Sequence, residues 1–183
     1  MNKQVLQVAV AALLAMGAAS SAVAQAVVAQ GQVNFAGRLT GQTCSITAGD
    51  RNKTVTLPAI SIASLTTKGH TAGSRPFSIN VENCPVGVNS VSAHWEITNL
   101  NPETGNARNL ATATPAGNVE VQLLDHDGAV LRLGDSGKPI QVARTAADAV
   151  GTATLHYGGR YYATGATSAG MVSTTANFTL AYN

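Results

Sequence analysis

The end of this chain constrains its fold more than any other stretch. From Gly170 to Asn183 the residues alternate: Val172, Thr174, Ala176, Phe178, Leu180 and Tyr182 share one face, while Ser173, Thr175, Asn177 and Thr179 share the other with Ala181. A period of two over that length is a half-buried β-strand. Chain ends normally fray, so an apolar strand that runs to the terminus and closes on a tyrosine needs a partner.

The start sets the compartment. Met1-Asn2-Lys3, the apolar run Val8 to Ala15 and the Ala22-Val23-Ala24 site read as a secretory signal peptide cleaved after Ala24. The apolar run is too short for a bilayer span. Residues 25–183 are then an exported single domain. Only 11% of the chain is charged, and without Lys3 there remain 10 basic against 9 acidic residues. No basic cluster is present, so nucleic acid is excluded as a partner on electrostatic grounds. Cys44 and Cys84 are the only cysteines, and in an oxidising compartment two such thiols pair. Closing that loop stabilises the fold by roughly 4 kcal/mol on the chain-entropy view.

The alternation recurs along the chain. Val27, Ala29, Gly31, Val33 and Phe35 share one face of a segment that directly follows the cleavage site. Gly37 to Ile46 continues as an extended segment. Lys53 to Pro58 reads as a short strand stopped by proline, and Ile60, Ile62 and Ser64 alternate after it. Phe77, Ile79 and Val81 point inward, as do Val91, Ala93, Trp95 and Ile97, which makes the single tryptophan a core residue. Asn99 to Gly117 is a loop. Val119 to Leu123 and Val130 to Leu133 flank Asp125-His126-Asp127-Gly128, a hairpin turn. Further short strands are expected at Pro139–Ala143, Thr152–Tyr157 and Arg160–Gly165, with at most one helical turn at Ala146–Ala149. Short strands with turn residues between them indicate an all-β sandwich.

Chemistry finds few footholds. Asp125, His126 and Asp127 are neighbours whose side chains diverge along a strand, so a turn explains them better than a metal site. Gly134-Asp135-Ser136-Gly137-Lys138-Pro139 resembles the segment around the nucleophile of trypsin-like serine proteases, with Lys138 replacing a glycine. That chemistry needs a base, an orienting carboxylate and an oxyanion hole. The chain is too short for the two-barrel fold, and nothing around His70 or His94 matches the family's histidine segment. We therefore expect no catalytic, cofactor or metal site, with hydrolysis by Ser136 as the distant alternative.

Taken together, several stretches resemble the pilins of the chaperone–usher pathway, with the major rod subunit of type 1 fimbriae as the nearest pattern. They are Gly31-Gln32-Val33-Asn34-Phe35-Ala36-Gly37 before Cys44, Asn83-Cys84, Val119 to Asp125, Arg160 to Ala166, the glycine at Gly170 and the penultimate aromatic Tyr182. The resemblance implies an incomplete immunoglobulin-like sandwich lacking its last strand and completed in trans by a donor strand. It divides the chain into a signal peptide (1–24), an N-terminal donor arm (25–36) and a pilin domain (37–183).

In such proteins a periplasmic chaperone first lends a strand to the groove, a known instance of strand addition to a sheet edge. At the outer-membrane usher the arm of the next subunit replaces it. Carried onto this chain, the donor positions are Val27, Ala29, Gly31, Val33 and Phe35. The acceptor and chaperone-pairing strand carries Gly170, Val172, Ala176, Phe178, Leu180 and Tyr182. Burial of Val27, Val33 and Phe35 contributes on the order of 5–9 kcal/mol before the cost of ordering the arm. The expected partners are further copies of the chain and related pilins joined head to tail, the chaperone and the usher. The expected destination is a cell-surface fimbrium that supports adhesion. A minor adaptor subunit is the competing role within the same class.

Overall fold

The computed structural model describes residues 31–37, 39, 41, 43–96 and 98–182. The expected signal peptide, the arm positions Val27 and Ala29, and Ile97 lie outside the described residues. Residues 31–37, taken by themselves, form no strand. Val33 is 75% and Phe35 94% exposed, and Gln32 Nε2 donates to Asn34 Oδ1 at 2.8 Å.

From Leu39 onward the described residues form β1 (Ser45–Ile46), β2 (Thr71–Cys84), β3 (Ser90–Glu96), β4 (Ala107–Arg108), β5 (Val119–Leu124), β6 (Val130–Leu131), β7 (Ile140–Gln141), β8 (Gly151–Ala163) and β9 (Asn177–Tyr182). One sheet has the order β1-β2-β8-β5-β4, with β6 also on β5. The other has the order β7-β3-β9. All strand pairs are antiparallel, and the only helical pieces among the described residues are short 3-10 turns.

The long β2–β8 ladder carries the first sheet. Phe77, Ile79 and Val81 stand opposite Tyr157, Leu155 and Ala153, and this apolar face packs on Val91, Ala93 and Trp95 of β3 in one core. Trp95 sits at its centre, with ring centroids 6.1 Å from Phe77, 5.2 Å from Tyr157 and 5.3 Å from Phe178. These edge and tilted contacts suit the aromatic quadrupole. The Cys44–Cys84 disulfide forms and ties the approach to β1 to the end of β2. The Asp-Gly hairpin is present as well: Asp125 N donates to Ala129 O at 2.9 Å, and Gly128 takes the positive φ, 79°, that the turn requires.

Local structure departs from the sequence expectation in three places. Thr152–Tyr157 and Arg160–Gly165 are not two strands; β8 runs straight through Gly158-Gly159. It lies between β2 and β5, so ladder bonds on both edges replace the propensity that the two glycines lack. Lys53 to Pro58 is assigned to no strand and joins neither sheet, because its alternation has no neighbouring strand to pair with. Ile62–Ser64 closes into a 3-10 turn, with Ser61 Oγ accepting from Ala63 N. Ala146–Ala149 makes one turn and no more, as its brevity implies.

Leu155 is fully buried and its neighbour Thr154 is exposed. Leu155→Ala is expected to cost about 2–5 kcal/mol of unfolding free energy. Thr154→Ala, which gives up only an exposed hydrogen bond from Thr154 Oγ1 to Asn80 Oδ1 at 2.9 Å, should cost no more than about 1.5 kcal/mol, both read by urea unfolding at constant m-value.

Candidate functional site

Among the described residues β9 is the outermost strand of its sheet, and the direction of its remaining bonds follows from β3. Trp95 N donates to Asp135 O (3.1 Å), while Gly134 N donates to Trp95 O (2.8 Å) and Gly137 N to Ala93 O (2.9 Å). The odd-numbered residues of β3 thus bond away from β9, and Ser92, His94 and Glu96 bond toward it. Those three stand opposite Ala181, Thr179 and Asn177. Alternate residues of an antiparallel strand bond to opposite sides. The N–H and C=O groups of Phe178, Leu180 and Tyr182 therefore face the open edge.

The side chains follow the sequence alternation from Val172 to Leu180, and Ala181, on the other face, is half-buried as well. Val172, Thr174, Ala176, Phe178, Leu180 and Tyr182 are half-buried, and Ser173, Thr175, Asn177 and Thr179 are exposed. Beside this strand runs a groove of about 1000 Å³. Gly170 through Phe178 form one wall, and residues 51–57 and 59–62 form the other. The floor is the core itself, reached at Phe77, Trp95, Val121 and Leu123. Leu180 and Tyr182 lie beyond the groove on the same strand face, where Tyr182 Oη accepts from Cys44 N at 3.1 Å. Burial pushes the Tyr182 phenol above its usual range.

The stretch before β9 is held from behind. Leu110 N donates to Ser173 O (2.7 Å), Met171 N to Thr114 O (2.8 Å) and Ala116 N to Met171 O (2.9 Å). Asn109 Nδ2 adds bonds to Ala116 O and Met171 O. The approach is closest at Gly170, where a Cβ would stand 2.5 Å from Thr114 O and closer still to Ala116 N. Only glycine fits there without displacing the loop.

Sequence reasoning missed the second wall. Val55, Leu57 and Ile60 turn half-buried side chains toward the groove, yet no main-chain hydrogen bond joins residues 52–60 to a neighbour among the described residues. The wall is anchored through Asp50, buried at 6% exposure. Its carboxylate accepts from Asn80 N (2.7 Å), Asn80 Nδ2 (2.9 Å) and Thr47 Oγ1 (3.0 Å), and pairs with Lys53 Nζ at 2.5 Å. The Lys53 ammonium, then the Asn80 N–H, hold the Asp50 carboxyl well below the usual carboxylate range against the opposing effect of burial. The Asp50/Lys53 spacing of three resembles any surface ion pair, so no sequence signal marked it.

The protease-like segment is a turn beside β3. Ser136 Oγ does lie 3.0 Å from His94 Nδ1. The main-chain donors around it are committed, however: Asp135 N to Arg132 O, Gly137 N to Ala93 O and Lys138 N to Asp125 Oδ2. An oxyanion hole needs such donors free.

Known proteins place this architecture. The model of the fimbrial protein family matches residues 30–183. The F17 fimbrial protein of Escherichia coli is 39% identical over 83% of this chain and 87% of its own length. The type-1 fimbrial protein A chain of Escherichia coli (strain K12) is 31% identical over the full length of both. Among solved structures, a subunit of a chaperone–usher pilus studied for rod uncoiling superposes with a TM-score of 0.58 at 20% identity, covering 84% of this chain and 96% of that one. The all-β sandwich is thus the immunoglobulin-like fold of pilus subunits.

Two outcomes are expected. A carboxylate whose folded pKa is depressed adds stability above its unfolded value, about 4, and that stability is lost as pH falls through the folded value. Unfolding free energy should therefore drop below about pH 4, and Asp50→Asn should flatten that acid limb in a urea series against pH. Tyr182→Phe leaves the Cys44 N–H without its acceptor and should cost about 0.5–1.5 kcal/mol, read by the same unfolding assay at neutral pH.

Proposed function

The chain belongs to the fimbrial protein family and is a structural pilin of a cell-surface fimbrium, and from its groove we propose that it polymerises by accepting a strand from the next subunit. One observation carries the reading. An apolar groove opens onto the core along the unpaired edge of β9, with the main chain of Phe178, Leu180 and Tyr182 directed outward. A strand laid there would gain ladder bonds and bury apolar side chains in the same act.

The donor is the arm 25–36, through Val27, Ala29, Gly31, Val33 and Phe35. Val33 and Phe35 are exposed, as a segment awaiting burial elsewhere must be. The acceptor is the strand Gly170 to Tyr182. Because donor and acceptor are different stretches of one chain, each joint leaves a free groove at one end and a free arm at the other. Such a head-to-tail contact does not close, and it builds a filament. An open apolar edge is also an aggregation hazard, which calls for a periplasmic chaperone to occupy the groove until an outer-membrane usher exchanges it for the next arm. The leader 1–24 directs export on this reading.

Removal of residues 25–36 is expected to leave folded, chaperone-bound monomer and no fibres, seen by electron microscopy of the producing cells and by gel filtration of periplasmic extract. Fibres built from the truncated chain would overturn the assignment of the arm.

A further inference from the structure

The groove's two walls are built differently. β9 is fixed by its ladder to β3. The facing wall, residues 51–60, has no ladder at all among the described residues. Its far end is held by the 3-10 turn Ile62–Ser64, by Leu65, 4% exposed, and by bonds from Thr167 N (3.2 Å) and Thr167 Oγ1 (3.0 Å) to Leu65 O. Its near end is held by the Asp50 carboxylate, which grips Thr47, Asn80 and Lys53 at once. Lys53 Nζ also donates to Ser78 O at 2.6 Å, so one ammonium group bridges the wall to β2. Arg51 Nε adds a bond to Ile46 O at 3.0 Å. Between these two ends the main chain of the wall makes no main-chain hydrogen bond among the described residues, which leaves it open to an incoming strand.

Resting on the strand-accepting reading above, we propose that Asp50 and Lys53 act as positioning residues for strand uptake, holding the wall 51–60 at the spacing from β9 that admits one strand and lets it bond to both sides. A wall released at its near end samples collapsed and splayed positions. Only the fraction of molecules with the wall correctly placed is competent, and apparent uptake falls in proportion to that fraction. The carboxylate itself stays out of the groove: Lys53 borders it, and Asp50 is packed behind the wall against β2. The pair acts through the wall and not by touching the donor.

Trp95 is the one tryptophan and forms part of the groove floor, so its fluorescence reports filling. The chain lacking residues 25–36, held as the chaperone-bound monomer expected above, is mixed with a synthetic peptide of residues 25–36, and the rate of the fluorescence change is compared across variants. Asp50→Asn and Lys53→Met are each expected to slow uptake at least tenfold, on the competent-fraction argument. Lys53→Arg should stay within about threefold of the parent, because it keeps the charge and a donor. The double variant Asp50→Asn/Lys53→Met should be no slower than the slower single variant, as for two residues acting as one unit. Circular dichroism and urea midpoints check that each variant folds. If Asp50→Asn does not fold, Lys53→Met and Lys53→Arg carry the test, because Lys53 lies at the surface. A folded variant with lowered stability and the parent's uptake rate would make the pair merely structural and overturn the proposal. A parent chain that takes up no peptide would instead remove the strand-accepting reading itself.

Discussion

Everything in this molecule answers to one constraint: main-chain polar groups next to an apolar core must find partners. The outer edge of β9 leaves the N–H and C=O groups of Phe178, Leu180 and Tyr182 without a partner strand among the described residues, Phe178 at the groove and the other two beyond it, while the side chains of the same residues pack on the core. Hydrogen bonding and apolar burial are left incomplete at the same place. A sandwich can carry that deficit only if its remaining parts are held independently. The β2–β8 ladder, the Cys44–Cys84 disulfide and the aromatic cluster around Trp95 are all complete without the missing strand.

How much of this the sequence reveals depends on how local each cause is. The burial of Val172 through Leu180 was legible position by position, because the two-residue period of a strand is a property of neighbouring residues. The Asp125–Gly128 turn and the core role of Trp95 were legible for the same reason. Pairing is not local. Val55 and Leu57 alternate as a strand should, yet they pair with no strand among the described residues, and nothing within Lys53 to Pro58 says so. Gly158-Gly159 looked like a break, yet it lies inside a strand because β2 and β5 flank it. The approach of Ser136 to His94 and the grip of Asp50 on Asn80 join residues distant in the chain, which no spacing rule anticipates.

The family resemblance filled part of that gap, and the physical reading says why its marker residues stand where they do. Gly170 is glycine because the chain passes too near Thr114 and Ala116 to carry a Cβ. Tyr182 is aromatic and hydroxylated because it closes the apolar face of β9 and reaches the Cys44 N–H, so the end of β9 is tied to a residue carrying the disulfide. A motif position becomes an argument once its contact is known.

The unequal walls bear on how one strand could replace another. Exchange needs a fixed reference, or the incoming strand slips by two residues at no cost in alternation. β9 supplies that reference through its ladder to β3. It also needs a side that can yield, since two rigid edges would trap the first occupant. A wall without a ladder, pinned at its ends by Asp50 and Lys53 and by the turn before Leu65, can yield along its middle while keeping its place. On the proposed reading, rigidity on one side and compliance on the other let a groove trade one strand for another, which an ordinary sheet edge does not require.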